Sequence, residues 1–469
     1  LYRPSLKKKY VRWTLWTIAS PFILFIILCI LIYLPPIQNF LVDKAAVYAS
    51  EATGMNISVG RISLSFPLNL VVTNVDAASP HNDTLLSVRR LQVNVQLLPL
   101  LKKQVEVDGI SLQGATVNSN DLIHGMKLNG TLGELFISSH GVALDPETAI
   151  VNKVLLKDTD LSLCLNDTAA VDTAASDTTY WKIILQDIDL QNVSFALDMP
   201  LDSLSLAASL DNAILRDGLI DLHKSAYSLQ TFRIENGRVR YDNGKPLAAD
   251  SLSSGLDPSH IALTDIGVKL DSLYYGGRNM KAIISQFVLK ERSGVEIVSA
   301  TGRMVSNDKV LRVPSLKLET RDSYLELNAA MDWNALDFKG EGLMSARLMA
   351  DIGKPDVVRF MGRMDEKFVR QYPSEPLRIR TGIDGDLNKL KLTTLTAELP
   401  GALGLFARGE LTHLTDSLLR GGDITLEAET KDLKFVSTLA EGIEIPYGTR
   451  LEGKFTMAGP KMGTDLLLM

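Results

Sequence analysis

Histidine and the other residue types that carry most enzyme and metal chemistry form no recognisable catalytic or metal-binding motif in this chain. The six histidines are widely separated, and no pair has the spacing of a zinc site. They are His81, His124, His140, His223, His260 and His413. The chain has no Gly-x-Ser-x-Gly, no His-Glu-x-x-His and no phosphate-binding loop. The sequence therefore predicts no catalytic residue, no metal and no cofactor.

Two pairs of acidic residues come closest to a chemical site. Asp384 and Asp386 flank Gly385, but no third ligand follows at the spacing of a calcium-binding loop. We interpret this pair as a solvated turn. Glu427 and Glu429 would share one face of a strand, which is more typical of a wet outer face than of an acid and base pair. A hydrolase is the least favoured class of function.

Composition excludes other classes. The chain has 469 residues, 46% of them hydrophobic and 22% charged, which is typical of a folded protein. Its net charge of −6 provides no basic excess for binding nucleic acid. Of the two cysteines, Cys29 lies in a long apolar stretch and Cys164 in a strand-like segment, so no disulfide is predicted.

The N-terminal segment predicts a membrane anchor. Trp13 to Leu34 is a 22-residue stretch without a charged residue, long enough to span roughly 30 Å as a helix. Five basic residues precede it, which places residues 1–12 in the cytoplasm. They are Arg3, Lys7, Lys8, Lys9 and Arg12. The Tyr33-Leu-Pro-Pro sequence is a poor cleavage site, so we expect a retained anchor and an exported remainder.

Most of the exported part has the pattern of β-strands. Residues 35–54 form a linker in which Ile37 to Thr53 is predicted to be an amphipathic helix capped by Gly54. Apolar and polar residues alternate from Met55 onward, and about 12 residues per strand and turn would give roughly 35 strands. Two later helices are predicted, Pro355–Gln371 and Leu433–Ala440, and Asn166–Thr179 is predicted to be a mobile loop.

An eight-residue frame recurs four times. Two apolar residues alternate, a turn-permissive residue occupies the fifth position, and the apolar phase then shifts by one. This shift predicts either a hairpin turn or a β-bulge. The four copies are Ile110–Val117, Ile188–Phe195, Phe232–Val239 and, more loosely, Val154–Leu161.

A second frame places a glycine between apolar residues. A glycine within a strand marks a bend or a close approach of two backbones. The frame is centred on Gly130, Gly302, Gly385, Gly409 and Gly453. Together the two frames favour an elongated, repetitive β-structure over a compact domain.

Strands with one apolar face must either pack on a second sheet or present that face to something apolar. The first arrangement is a closed sandwich, and the second is an open groove that could hold acyl chains. We predict that the alternating apolar residues line such a groove. The candidate lining residues are Leu91, Val93, Val95, Ile110, Leu112, Ile188, Leu190, Ile234 and Val239.

The N-terminal part of the chain resembles a known family. After the basic tail, the apolar span and the short helix come Ala52–Leu64, Leu68–Val75, Leu85–Val95 and Leu97–Leu112. This succession is similar to the N-terminal part of the AsmA/TamB family of Gram-negative envelope proteins. The similarity covers Tyr10 to Asn118, and further on only the strand and glycine rhythm is shared.

The resemblance implies a fold and a location. The expected fold is mostly β, with an N-terminal transmembrane helix at 13–34 and an elongated, U-shaped antiparallel sheet, a β-taco, around an apolar groove. It implies an AsmA-like β-domain at 55–165, a flexible loop at 166–180 and a repetitive β-groove at 181–469. The expected location is the inner membrane, with a single pass and the bulk in the periplasm. The chain begins with Leu1 and ends within the strand pattern, so we expect it to be part of a longer protein.

Two functions remain open from the sequence. The first is a conduit that moves phospholipid between inner and outer membranes and so supports outer-membrane biogenesis. The alternative is a translocation and assembly factor for outer-membrane or secreted proteins. The partners implied are the inner membrane, phospholipid acyl chains and an outer-membrane β-barrel protein, with no nucleic acid. Neither function requires enzymatic activity.

Overall fold

The computed structural model describes residues 44, 46–47, 50–51, 53–65, 69–79, 83–96, 107–119, 125–143, 147–166, 180–245, 255–336, 342–362, 365–439 and 446–468. The predicted cytoplasmic tail and transmembrane helix, residues 1–34, lie outside these residues, and so does nearly all of the predicted loop Asn166–Thr179. Within the described ranges, no helix is both long and apolar enough to cross a bilayer.

The described residues are mostly β-structure, as the alternating pattern predicts. They hold 22 strands in antiparallel pairs and few helices. The expectation of roughly 35 strands was wrong, because many strands are longer than assumed and four of them reach 18 residues. The chain divides into two compact units, of which unit 1 contains β1 to β6 and unit 2 contains β7 to β22.

In unit 1, each strand from β1 to β5 pairs antiparallel with the next one in sequence. The final strand, β6, lies beside β5, and the Asn166 N–H donates to the Gly125 carbonyl at 2.7 Å where the two strands meet. The strands are β1 (Asn56–Ser65), β2 (Asn69–Ala78), β3 (Thr84–Val95), β4 (Val107–Asn118), β5 (Met126–Ala143) and β6 (Thr148–Leu165).

Unit 2 continues the same up-and-down order. Its first strands are β7 (Lys182–Met199), β8 (Leu204–Asp221), β9 (Ala226–Leu229), β10 (Thr231–Asp242), β11 (His260–Gly276) and β12 (Asn279–Glu291). The short β9 and the longer β10 share one position in the sheet, since both pair with β8 on one side and β11 on the other.

The second half of unit 2 pairs each strand with the next from β12 to β22. These strands are β13 (Glu296–Ser306), β14 (Val310–Thr320), β15 (Tyr324–Asp332), β16 (Met344–Ile352), β17 (Leu377–Gly385), β18 (Lys389–Leu399), β19 (Leu403–Thr412), β20 (Gly421–Thr430), β21 (Arg450–Ala458) and β22 (Lys461–Leu468).

The helices agree with the sequence in place but differ in length. Near the N-terminus the described residues between 44 and 53 are helical, and Gly54 ends the helix at φ +68° with its N–H donating to the Ser50 carbonyl at 2.9 Å. The predicted helix Pro355–Gln371 is instead two helices, α1 (Lys354–Met361) and α2 (Glu366–Gln371). Gly362 ends the first at φ +73°, and Asp365 caps the second by accepting from the Lys367 N–H.

Three 3₁₀ helices complete the described elements: Pro200–Asp202, Trp333–Leu336 and Lys434–Thr438. The last of these lies where the sequence predicts Leu433–Ala440 to be a helix, so the position is right and the length is shorter.

The repeated eight-residue frame does not mark hairpin turns. A register shift accompanies it at Asn236, between β10 and β11, whereas the pairs on either side of Gly114 and Asn192 keep the same register. In all four copies the strand runs on through the frame, and the fifth residue alone has a left-handed backbone. These residues are Gly114, Asp158, Asn192 and Asn236, with φ between +49° and +63°. Asn74, Asp217 and Asp265 repeat the feature in β2, β8 and β11. Gly, Asn and Asp are the residues that adopt this conformation most readily.

Neighbouring strands shift phase together at these residues. Asn192 lies opposite Asp211, between the pairs Gln191–Asn212 and Val193–Leu210. Asn74 lies opposite Gly60 in the same way, between Thr73–Arg61 and Val75–Val59. The apolar residues before and after each shift therefore remain on one face.

A substitution at Asn74 tests this role. Asn74 is exposed and its backbone is left-handed at φ +51°. Asn74→Val should lower the free energy of unfolding by about 1–2 kcal/mol, because a β-branched residue is strained in this conformation. Asn74→Gly should leave stability nearly unchanged, since glycine has no Cβ to clash. Urea unfolding of the two variants and the parent chain measures the difference, and equal stability of both variants would contradict the assignment.

Candidate functional site: an apolar face on each unit

In unit 1 the strand register places apolar side chains in rows across the sheet. One row joins the predicted Val93 and Ile110, and the next joins Leu91 and Leu112. Both rows extend into β1, β2 and β5. Their members are Leu64, Leu70, Val93, Ile110 and Ile137 in the first, and Ile62, Val72, Leu91, Leu112 and Leu135 in the second. Val95 continues the alternation after Val93 and pairs with Val107 across a register shift.

Unit 2 has equivalent rows on its own sheet. Leu190 pairs with Ala213 and Ala213 with Ile234, so two predicted residues share a row across three strands. Ile188 lies in the adjacent row with Leu215 and Phe232. Val239 lies beyond the bulge at Asn236 and pairs with Ala208 and Leu263.

The rows continue through the rest of unit 2, where the sequence prediction named no lining residue. One row runs in register from β14 to β20 and contains a single polar residue. Its members are Leu316, Leu327, Leu348, Thr381, Leu395, Ala407 and Leu426. The signal that could have identified them is the same two-residue alternation. We call these rows, in each unit separately, the apolar face.

The large side chains of the apolar face keep part of their surface exposed. All nine predicted residues are half-buried, and the larger side chains beside them are too. Several of the buried members are alanines. They are Ala115, Ala213, Ala300, Ala350, Ala407 and Ala428. A closed sandwich would bury the large side chains completely, whereas those of the nine predicted residues keep part of their surface exposed. Whether these residues line a groove stays a prediction.

Unit 2 has one compact buried cluster, at the end of the strands where α1 and α2 lie. Phe368 of α2 is 1% exposed, and its ring packs against those of Tyr372 and Phe435 at centroid distances of 5.4 and 5.8 Å. Leu399, Ala402 and Leu433 complete the cluster. Burial raises the pKa of the Tyr372 phenol. The cluster fixes α2 and the 3₁₀ helix Lys434–Thr438 at this end of the sheet.

The opposite face of the sheet is charged. Arg380 and Asp351 on neighbouring strands form an ion pair at 2.8 Å, and Lys454 and Asp423 form another at 3.1 Å. Exposed pairs of this kind contribute little stability each, but they keep the face solvated. The apolar and charged residues therefore separate onto two faces.

The acidic pairs weighed as chemical sites belong to this charged surface and its turns. Glu427 and Glu429 lie on the face opposite Leu426 and Ala428. Asp386 lies in the β17–β18 turn, where its Oδ1 accepts from the N–H groups of Asn388 and Lys389 at 2.8 and 2.7 Å. Among the described residues, no three His, Cys, Asp or Glu side chains are grouped to hold a metal.

Glycines of the second frame permit close approach of neighbouring strands. A Cβ added to Gly409 would lie 2.1 Å from the Asp423 carbonyl oxygen, although Gly409 itself has an ordinary extended backbone. Gly130 and Gly385 meet the Asp160 and Lys389 carbonyl oxygens at 2.1 and 2.0 Å in the same way. At Gly302 the nearest atom would be Cδ1 of Leu316, at 2.8 Å. The predicted close approach of two backbones is confirmed at Gly130, Gly385 and Gly409, whereas at Gly302 the close neighbour is a side chain.

Alanine at Gly409 tests this contact. Gly409→Ala should lower the free energy of unfolding by about 1–3 kcal/mol, because the new methyl group displaces a neighbouring strand. Gly404→Ala in the same strand is the matched control, since a Cβ there meets nothing within 4 Å. Thermal or urea unfolding compares them, and a Gly409→Ala variant as stable as its control would show that the strands separate without cost.

A second pair of variants separates the buried cluster from the open face. Phe368→Ala should cost about 3–5 kcal/mol, because it leaves a cavity among the rings. Leu348→Ala, on the half-exposed apolar face, should cost much less, since its site is already solvated on one side. Hydrogen exchange and urea unfolding would measure both. Equal losses would mean that the apolar face is covered.

Comparison with known proteins adds no relative. No model of a known protein family matches the chain, and no curated protein is significantly similar to it. The resemblance to the AsmA/TamB family therefore depends on the quoted N-terminal residues alone, and what it implies enters below as a proposal.

Proposed function

We propose that this protein is a non-enzymatic conduit that moves phospholipid between the inner and outer membranes along its apolar face. The observation that carries the proposal is the series of in-register apolar rows in each unit, whose large side chains keep part of their surface exposed. A partly exposed apolar face of this extent needs an apolar ligand in an aqueous compartment.

The energetics suit acyl chains. Each buried methylene contributes about 0.8 kcal/mol, so a lipid tail can be held without a specific polar group. Adjacent rows contain similar side chains, so neighbouring positions bind a tail nearly equally and movement along the face is passive. The direction of net transfer then depends on the lipid supply at either end.

The detailed shape and membrane anchor in this proposal are those predicted from the sequence. The sheet would curve into a U-shaped groove with the apolar face inside and the charged face outside. The span at 13–34 would anchor it in the inner membrane, with the bulk in the periplasm. The sixteen strands of unit 2 occupy fifteen positions, because β9 and β10 share one, and at about 4.8 Å between neighbours they would provide a path of roughly 70 Å.

The alternative is an assembly factor for exported β-proteins. It is favoured by the antiparallel pairing of successive strands through the described sheet. Backbone hydrogen bonds of the same kind can add a strand of another protein to the edge of a sheet. An outer-membrane β-barrel protein would be the partner in that case.

A charge on the apolar face tests the conduit. Leu190→Asp should reduce lipid transfer between vesicles by at least about tenfold, because a carboxylate in the path of a tail costs several kcal/mol to desolvate. The fold should persist, since water can reach Leu190 on the open face. Ser194→Asp is the matched control. It adds the same charge to the same strand, and the phase shift at Asn192 places Ser194 on the face opposite Leu190.

A photo-crosslinker at Leu190 gives the direct readout. Crosslinks to phospholipid support the conduit, and crosslinks to exported polypeptide support the assembly factor. Crosslinks confined to other strands of a well-folded chain would show that the apolar faces pack on each other. Unchanged transfer by Leu190→Asp would reject the proposal.

A further inference from the structure

Two neighbouring turns of unit 2 present large apolar side chains to solvent. Leu418 and Leu419 lie in the β19–β20 turn and are 76% and 64% exposed. Met462 lies at the start of β22, just after the β21–β22 turn, and is 76% exposed. We call these three residues the leucine tip. Isolated exposed leucines are common, but three together on adjacent turns form an apolar projection.

Hydrogen bonds from side chains and backbone hold the two turns of the leucine tip together. The Oδ1 of Asp416 accepts from the N–H groups of Leu418 and Leu419 at 2.8 and 3.1 Å. The two turns are joined through Arg420, whose carbonyl accepts from the Gly459 N–H at 2.7 Å and whose Nε donates to the Gly459 carbonyl at 2.8 Å. Leu418 and Leu419 therefore lie on a turn that hydrogen bonds hold in a defined conformation.

The charges around the leucine tip favour an anionic surface. Arg420 and Lys461 flank the exposed side chains. The one acid in the turn, Asp416, directs a carboxylate oxygen to backbone N–H groups. Apolar side chains flanked by basic residues are typical of segments that insert into the interface of anionic lipid.

The leucine tip is also continuous with the apolar face. Leu411 pairs with Gly422, Gly422 with Met457 and Met457 with Met462, so the outermost row of the face ends at the tip. We propose that the leucine tip inserts into an anionic phospholipid bilayer and gives acyl chains a route onto the apolar face. This inference rests on the proposed conduit function, and it names the membrane contact of that surface.

Vesicle capture tests the insertion. The full chain, reconstituted in phosphatidylcholine vesicles, is mixed with fluorescent acceptor vesicles of phosphatidylethanolamine and phosphatidylglycerol, and captured fluorescence is measured. The L418S/L419S variant should capture at least about tenfold less, because two leucines lose their burial in lipid. Acceptor vesicles of phosphatidylcholine alone should also be captured less by the parent chain. Leu201→Ser is the matched control, since Leu201 is 63% exposed in another turn.

The outcomes separate the tip from the conduit. Full capture by L418S/L419S, or equal losses for that variant and Leu201→Ser, would overturn the insertion. If the tip variant loses capture while the parent chain captures vesicles without transferring lipid, the insertion stands and the conduit fails. If the tip variant captures normally and Leu190→Asp still blocks transfer, the conduit stands and the insertion fails. If the leucine tip binds a protein partner and not lipid, the parent chain will fail to capture the acceptor vesicles, which contain no protein, and the insertion is overturned.

Discussion

Strand register is the constraint on which this structure depends. Side chains alternate between the two faces of a sheet with a period of two, so a slip of one residue would move every apolar side chain to the charged face. Register shifts occur at a few positions, for example between Asn94 and Val95, but within each unit the apolar side chains stay aligned across several strands. Leu190, Ala213 and Ile234 meet across three strands, and Arg380 and Asp351 meet on the other face. The separation of an apolar face from a charged face follows from this register.

Residues with a left-handed backbone change the phase of the alternation within a strand. A single strand that changes phase would mix the two faces, but a group of neighbouring strands that change phase together keeps them apart. Asn74 opposite Gly60, and Asn192 opposite Asp211, show how this is achieved. Left-handed backbone is costly for most residues, so Asn, Asp and Gly recur at the fifth position of the frame. A conformational requirement of the backbone thus explains a repeat in the sequence.

The sequence allowed the strands, the phase shifts and the close approaches at glycines to be predicted, because each depends on local residue type. It left the choice between hairpin turn and bulge open, because both place the same residue types at the same position. The break at Gly362 was missed, since apolar residues recur at helical spacing on both sides of it. The buried cluster was missed because Phe368, Leu399 and Phe435 are far apart in sequence and only the fold brings them together.

The candidate site could be predicted only in part, and the reason bears on function. A catalytic site depends on a few residues in fixed geometry, which leaves a motif that can be searched. The apolar face depends on a property repeated along the chain, so the nine residues named from sequence are examples of a larger set. Such a surface tolerates exchange of one aliphatic residue for another, which leaves few fixed positions for recognition. What cannot be exchanged is the side on which each residue lies. Leu190 and Ser194 are four residues apart, but the phase shift at Asn192 between them places their side chains on opposite faces. Specificity for an apolar ligand would therefore depend on which face of the sheet each residue occupies. It would also depend on the few places, such as the leucine tip, where the apolar surface reaches an end of the strands.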